Sequence, residues 1–173
     1  MCQFKSCLIL KDRVFLPDYD SHDKMLGELG IKDTRENASR LFVRAELSPA
    51  DDNPFAPVAG WEYHVDQDIL PDWYVPEMDE ARAREAVTAW MQAHTWTEGK
   101  HDADAGVWYA SGIATVTASG IATVTASGIA TVYATDSARV KAIDRATVKA
   151  TDRATVYATD IATVNATDRA TVH

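Results

Sequence analysis

The chain has 173 residues, a mass of 19.0 kDa and a formal net charge of −9. The negative charge is concentrated in residues 1–105, which carry 21 Asp and Glu against 11 Lys and Arg, whereas the remainder carries 5 against 6. This distribution argues against indiscriminate nucleic-acid binding, which requires a basic surface, and favours a basic or nucleic-acid-binding partner. Because the N-terminus has no hydrophobic targeting segment and no apolar run is long enough to cross a bilayer, we expect a soluble cytoplasmic protein without membrane association.

Residues 1–101 have the pattern of a small α+β head domain. Residues 2–10 alternate loosely between apolar and polar side chains, and together with residues 14–16 they predict a β-hairpin. Ser21 is a typical helix N-cap and Gly30 a typical helix terminator, so a short helix is predicted between them.

Two strands and a longer helix complete the predicted head. Residues 41–47 and 61–66 alternate between apolar and polar side chains, as half-buried strands do. Asp79 is predicted to cap a helix whose apolar face follows the helical repeat and contains Ala83, Ala86, Val87, Trp90 and His94. The expected order is therefore strand, helix, strand, strand, helix.

Residues 102–173 consist of nine eight-residue units, such as ASGIATVT and ATDRATVY, and a fixed period of this kind is typical of a stacked solenoid. Odd positions are small or apolar and even positions are polar or variable, which is the alternation of a β-strand. The third position is Gly or Asp, which tolerate the backbone of a tight corner. Because two of the three inward positions are Ala, a three-sided coil would enclose a void, so we predict an all-β solenoid with two units, or 16 residues, per coil.

The outward side chains of this solenoid are predicted to sort onto two faces. One face stacks an aliphatic row beside a threonine row: Ile113, Ile129, Arg145 and Ile161 beside Thr115, Thr131, Thr147 and Thr163. The opposite face is basic and collects Arg139, Lys141, Arg153, Tyr157, Arg169 and His173. At the start of the array, Trp108 and Tyr109 are predicted to plug the first coil.

The C-terminal coil has no comparable plug in the sequence. Its unpaired backbone groups and small apolar cross-section would favour pairing with another copy. We therefore predict a homodimer that meets end to end over residues 160–173, through Asp160, Asp168, Arg169, Val172 and His173.

Two features of the head have the residue types of reactive sites. Asp18, Asp20, His22 and Asp23 could gather ligands around Mn²⁺ or Ca²⁺, but a polar loop that caps the following helix is the favoured explanation. Cys2 could become an N-terminal nucleophile, but no partner residues for such chemistry are identifiable, which favours a structural cysteine in a strand. The sequence therefore predicts no catalytic residues, no metal and no cofactor.

An acidic segment with two aromatic residues is the predicted partner-binding surface. It comprises Asp66, Asp68, Asp72, Trp73, Tyr74, Glu77, Asp79 and Glu80. Exposed Trp and Tyr are common anchors of protein interfaces, and packing in the core is the alternative for these two rings.

Three phrases of the head carry a resemblance to a known group: LPDYDSHDKML at 16–26, FVRAELSP at 42–49 and WEYHVDQDILPDWYVPEMDEARAREAVTAWMQAH at 61–94. Followed by the octapeptide array, they resemble small phage and prophage proteins, also found in bacteria, that join such a head to a pentapeptide-like repeat solenoid. The resemblance covers nearly the whole chain and implies a mobile-element context. In that context, solenoid proteins often occupy a surface of a host nucleic-acid machine, as gyrase-protecting pentapeptide-repeat proteins and several anti-CRISPR proteins do.

The function expected from these observations is that of a non-enzymatic inhibitor or adaptor in the host cytoplasm. Its acidic head would occupy a basic surface of a host protein or nucleoprotein complex, for instance in anti-CRISPR or other counter-defence. The alternative is a surface-recognition solenoid whose repeat face binds ice, glycan or nucleic acid. A third hypothesis is a small enzyme that uses Cys2 or the cluster at residues 18–23.

Overall fold

The computed structural model describes residues 5–173 and divides the chain into two compact units between Gln92 and Ala93. The N-terminal unit is an α+β head and the C-terminal unit a β-solenoid, which confirms the predicted fold class. Cys2 lies outside the described residues. Among the helices within them, none combines the length and the apolar character needed to cross a membrane.

Four antiparallel strands form the head sheet in the order β2–β1–β3–β4: β1 Lys5–Leu10, β2 Val14–Phe15, β3 Phe42–Ser48 and β4 Glu62–Val65. The helices are α1 His22–Glu28, α2 Arg35–Ala38 and α3 Pro76–His94, with a 3-10 turn at Val58–Gly60. The predicted order of the main elements is confirmed. The short α2, which Thr34 caps, is absent from the prediction because four residues are too few to show a helical periodicity.

The central strand β1 is buried on both faces of the sheet. On one face an apolar cluster joins it to α1 and β3, and its members include Leu8, Leu10, Met25, Leu26 and Phe42. Because side chains alternate across a strand, Lys5 lies on the opposite face, where its ammonium is 4.1 Å from the centroid of the Trp90 ring in α3. The sheet is therefore packed between α1 and α3.

Helix α3 begins at Pro76, four residues earlier than a helix capped by Asp79 would begin. Proline suits the first helical turn because its missing N–H would have had no partner there. Asp79 does not precede the helix; its carboxylate accepts a hydrogen bond of 2.8 Å from the Val75 backbone N–H and lies 2.6 Å from the Arg82 guanidinium. The Asp79 side chain thus caps the N-terminus of α3 from a position inside the first helical turn.

The solenoid consists of two parallel sheets. One contains β5 Thr95–Trp96, β7 Val107–Ala110, β9 Thr123–Ala126, β11 Arg139–Ala142, β13 Thr155–Ala158 and β15 Thr171–Val172. The other contains β6 Lys100–Ala103, β8 Thr115–Ala118, β10 Thr131–Ala134, β12 Thr147–Ala150 and β14 Thr163–Ala166. Strand β5 precedes the first repeat recognised in the sequence and pairs with β7, whereas β6 overlaps the start of that repeat and pairs with β8.

From β7 onward, paired strands are 16 residues apart along the chain, so that Val132 lies beside Val148 and Thr131 beside Thr147. The valines and alanines of the repeat point inward and form one continuous buried cluster. This is the predicted two-sided coil. The register also places the predicted threonine row on one sheet and the predicted basic residues along the other.

The corners of the solenoid explain the Gly or Asp at the third position of each unit. These residues have positive φ angles, between 55° and 59° for the aspartates and 55° and 62° for the glycines of the repeat. The aspartates also bond to the preceding coil: the carboxylate of Asp136 accepts from the Gly120 N–H at 3.2 Å, and that of Asp144 from the Gly128 N–H at 3.2 Å. Aspartate therefore combines tolerance of the corner conformation with a bond between coils.

Aromatic rings close the N-terminal end of the solenoid core, as predicted for Trp108, whereas Tyr109, predicted with it, lies in register with the outward-facing Thr125. The Trp96 and Trp108 rings stack with centroids 4.4 Å apart, and His101 stacks on Trp96 at 4.5 Å. Both indoles pack against the first alanines and valines of the core. Large flat side chains thus cover a cross-section that alanine alone would leave open to water.

Candidate functional site

The main candidate site is a cleft of about 540 Å³ on the head, which we call the acidic cleft. It is lined by Asp20, Ser21, His22, Asp23, Asp33, Arg44 and Asp66. A smaller cleft of about 270 Å³ shares Asp33 and Arg44 with it and adds Asp68. The head thus collects carboxylates from the 18–23 segment, from the residues before α2 and from the end of β4.

Helix α1 positions His22 at the edge of this cleft. Ser21 is the N-cap, and its hydroxyl accepts a bond from the Lys24 N–H at 3.4 Å, which confirms the predicted cap. The imidazole is 6% exposed; its Nε2 lies 3.3 Å from the Ala45 carbonyl oxygen, and its Nδ1 lies 3.6 Å from a carboxylate oxygen of Asp66.

Glu46 joins His22 and Asp66 in a three-residue cluster. One ligand atom from each residue lies within 4.8 Å of the other two. Glu46 projects from the middle of β3, whose register places it between Ser6 of β1 and His64 of β4. The cluster is therefore built by strand pairing between residues that are far apart in the sequence.

The acidic run at 18–23 does not converge on one point. Asp20 forms an ion pair of 3.1 Å with the buried Lys5 ammonium and also accepts from the Ser6 backbone N–H at 3.1 Å. Asp18 accepts from the Trp90 indole N–H at 2.9 Å. These two carboxylates therefore stabilise the packing of β1 against α3, while only His22 of this run joins the three-residue cluster.

Arg44 is the guanidinium that lines the acidic cleft. It forms an ion pair of 2.5 Å with Asp33. Its backbone N–H donates to the Gln67 side-chain oxygen at 2.9 Å, and the Gln67 amide donates in turn to the Phe42 and Ile69 carbonyls. Gln67 thus holds the chain after β4 against β3, which places Asp66 and Asp68 at the two clefts.

The predicted partner-binding residues divide into exposed and structural groups. Four carboxylates are exposed: Asp66, Asp68, Asp72 and Glu77. Glu80 is paired with Arg84 at 2.7 Å. Asp79 is 2% exposed and closes the start of α3, so its prediction as a contact residue is corrected to a structural role.

The two predicted aromatic anchors are bonded within the head. The Trp73 indole N–H donates to the Arg40 carbonyl at 2.7 Å, and the Tyr74 and Tyr63 hydroxyls lie 3.1 Å apart. Both rings are half-buried. Each side chain is thus held by a hydrogen bond within the head while part of it stays accessible to solvent.

Cys7 is buried on β1, and burial raises the pKa of its thiol to about 12. Nucleophilic cysteines require a thiolate near neutral pH. Cys7 is therefore a packing residue of the head sheet.

At the other end of the chain, all five predicted dimer residues are exposed: Asp160, Asp168, Arg169, Val172 and His173. The His173 ring stacks on Tyr157 with centroids 4.8 Å apart. On the same face, Asp136, Asp152 and Asp168 alternate with Arg153 and Arg169 around a shallow depression. The corner aspartates thus lie close to the basic side chains, which reduces the positive charge of this face.

Comparisons with protein-family models, curated proteins and solved structures gave no match. The protein is therefore classed by its own architecture, as an α+β head followed by a two-sided β-solenoid, with a carboxylate-rich cleft on the head.

Proposed function

We propose that the protein is a non-catalytic binding protein whose acidic cleft engages a basic surface of another protein. The observation that carries this proposal is the convergence of Asp23, Asp66 and Asp68 around two adjoining clefts whose arginine is already paired with Asp33. A basic side chain from a partner would neutralise these carboxylates. Complementary charge of this kind accelerates association and selects against partners of the same sign.

The resemblance to phage and prophage proteins makes a host nucleic-acid-handling complex the partner class to test first. Such complexes carry basic surfaces because they bind phosphate backbones. In this proposal the protein acts in the host cytoplasm as an inhibitor or adaptor, and interference with a CRISPR effector complex is the most specific version.

The test is a charge reversal in the cleft with a matched reversal elsewhere. Asp23→Lys combined with Asp68→Lys changes two exposed cleft residues, whereas Asp12→Lys combined with Glu85→Lys makes the same change in net charge at exposed positions in the β1–β2 turn and on α3. Binding to purified host nuclease complexes is measured by surface plasmon resonance across a salt series.

We expect the cleft variant to weaken binding at least about tenfold, equivalent to about 1.4 kcal/mol, and the control variant to bind like the wild type at matched salt. Affinity should also fall as salt rises, because exposed charges are screened. Equal loss in both variants, or binding that is insensitive to salt, would refute a specific role for the cleft.

A second candidate function is supported by the regular surface of the solenoid. The threonine row at 115, 131, 147 and 163 is unbroken, and beside it Ile113, Ile129 and Ile161 are 64%, 53% and 70% exposed. If this face recognises ice, glycan or nucleic acid, Thr131→Lys should abolish binding while the cleft variant has no effect. The reverse pattern supports the acidic cleft.

We also propose end-to-end homodimerisation through the last coil. Val172 is 46% exposed there, and β14 and β15 each have one free edge among the described residues. Gel filtration with light scattering over a range of concentrations tests this. A dimer that Val172→Lys dissociates supports the proposal, whereas a monomer at all concentrations refutes it.

A further inference from the structure

We propose that the head binds a divalent transition-metal ion between His22, Glu46 and Asp66. The site would be formed by one imidazole nitrogen and two carboxylates from α1, β3 and the end of β4. It shares Asp66 with the acidic cleft, but its test is distinguishable from that of the proposed function, because the cleft variant described above retains all three ligands.

The spacing of the three side chains suits a single ion. Their ligand atoms lie within 4.8 Å of one another, and the His22 Nδ1 is 3.6 Å from Asp66. Two ligands of one tetrahedral Zn²⁺ ion lie about 3.4 Å apart when each metal–ligand distance is about 2.1 Å. Side-chain rotations that move the carboxylate oxygens by about 1 Å would therefore complete the coordination. Asp66 can make this adjustment readily because it is 56% exposed.

The imidazole is oriented as a metal ligand requires. Nε2 faces the Ala45 carbonyl oxygen at 3.3 Å and, as the protonated nitrogen, donates to it. This leaves the Nδ1 lone pair directed towards Asp66. Metal-binding histidines commonly donate their second nitrogen to a backbone carbonyl, which selects the tautomer and orients the ring.

A buried hydroxyl beside the cluster is a second, independent indication of a ligand. Ser6 is fully buried, and within the described part of the chain its Oγ has no hydrogen-bond partner. Ser6 is the register partner of Glu46, so the two side chains stand on the same face of the sheet. A buried polar atom without a partner is unfavourable, and a metal-bound water would provide one.

The charges around the cluster also favour a cation. Among the described residues, no Lys or Arg forms an ion pair with Glu46 or Asp66, since Arg44 is paired with Asp33 and Lys5 with Asp20. Like charges on the two converging carboxylates repel one another. A divalent cation would remove this repulsion.

The donor set selects the class of ion. Mg²⁺ and Ca²⁺ prefer oxygen ligands alone, whereas an imidazole with carboxylates suits Zn²⁺ and its first-row neighbours. Three protein ligands leave at least one position of a tetrahedral ion for water.

The experiment is calorimetric titration of the metal-stripped full-length protein with ZnCl₂ at neutral pH, and with MgCl₂ and CaCl₂ in parallel. The variants are Asp66→Asn and Glu46→Gln, which remove one ligand charge each with little change in shape. His173→Ala is the matched control, because it removes an exposed histidine of the solenoid. Far-UV circular dichroism verifies the fold, and Asp66→Asn, at an exposed position, keeps the test decisive if Glu46→Gln does not fold.

We expect one Zn²⁺ per chain, no comparable heat from Mg²⁺ or Ca²⁺, and an affinity at least about tenfold lower in both carboxylate variants but unchanged in the control. Zn²⁺ should also raise the Tm of the wild type and not that of Asp66→Asn, since binding to the folded state alone stabilises it. Absence of Zn²⁺ binding, wild-type affinity in folded Asp66→Asn, or loss of binding in His173→Ala would each overturn the proposal. Equal affinity for Ca²⁺ would overturn the assignment to a transition metal.

Discussion

Replacement of Gly120 by Ala should destabilise the solenoid more than the same replacement of Gly128, although both residues occupy the same position of the repeat. Both have positive φ, 55° and 62°. An alanine in this conformation destabilises the folded state by about 1–2 kcal/mol. Alanine also has less conformational freedom than glycine in the unfolded chain, which offsets about 0.4–1 kcal/mol of that destabilisation. Backbone conformation alone therefore predicts a similar destabilisation of about 1 kcal/mol at both positions.

The surroundings of the added methyl group make the difference. At Gly128 it would lie 3.3 Å from the Gly112 backbone nitrogen, a contact that a small shift relieves. At Gly120 it would lie 2.4 Å from the Asp104 carbonyl oxygen, and this backbone atom is held by its bond to the Ile121 N–H. Overpacking of this kind adds about 1–3 kcal/mol, so we expect about 2–4 kcal/mol in total for Gly120→Ala.

Urea unfolding of the full-length variants, followed by far-UV circular dichroism, measures the difference. Because the protein has two units, exchange of the amide protons of β9 and β10 reports the stability of the solenoid directly. Gly120→Ala should accelerate this exchange at least about tenfold relative to Gly128→Ala, in keeping with about 1.4 kcal/mol per factor of ten. Equal exchange rates, or a larger effect at Gly128, would show that the corner geometry is wrong.

Three further predictions concern the two cores. Val132→Ala, at a fully buried position, should lower the free energy of unfolding of the solenoid by about 2–3 kcal/mol, whereas Val164→Ala, at a half-buried position of the last coil, should lower it by about 1 kcal/mol. The same exchange experiment measures both effects, and equal losses would contradict the difference in burial between the two positions. Lys5→Met should lower the free energy of unfolding of the head by about 2 kcal/mol, because it removes a buried ammonium that makes an ion pair and a carbonyl bond; an unchanged urea midpoint would refute this. Because burial raises the pKa of Cys7 to about 12 from an ordinary 9.0, the folded state retains that proton more strongly, so its contribution to stability is present below pH 9 and is lost as the pH rises towards 12. In a Cys2→Ser background, a thiol reagent at pH 8 should therefore modify Cys7 only on unfolding, and rapid labelling of the native protein would contradict its burial.

The solenoid is predictable from sequence because its signal is local and repeated. Each unit places Ala and Val on one side of a short strand and a Gly or Asp at its corner, and the repetition shows that every coil has the same environment. The small volume of the inward alanines then favours a two-sided coil, because alanine cannot fill the wider interior of a three-sided one. Strand Thr95–Trp96 lies before the array and Lys100–Ala103 overlaps only its first two residues, so the pairing of both strands with the array is visible only in the structure.

The acidic cleft is not predictable in the same way because its geometry depends on strand register. Glu46 lies in a strand that alternates between apolar and polar residues, and this pattern predicts only that its side chain faces solvent. Its proximity to Asp66 and His22 follows from the β3–β4 pairing and from the position of α1. Conversely, Asp18 and Asp20 are two residues apart in the chain and yet bind different partners, Trp90 and Lys5. Proximity in the sequence therefore suggested a cluster at 18–23 that the fold separates, and it gave no sign of the cluster of His22, Glu46 and Asp66.

The indole pair at the start of the solenoid also has an optical consequence. Trp96 and Trp108 lie face to face with an angle of 8° between their planes. Two chromophores this close couple electronically, and such a coupled pair gives a circular dichroism signal of paired opposite bands that isolated rings lack. Trp61, Trp73 and Trp90 belong to the head, so this signal would follow the ordering of the first coil during refolding without any added label.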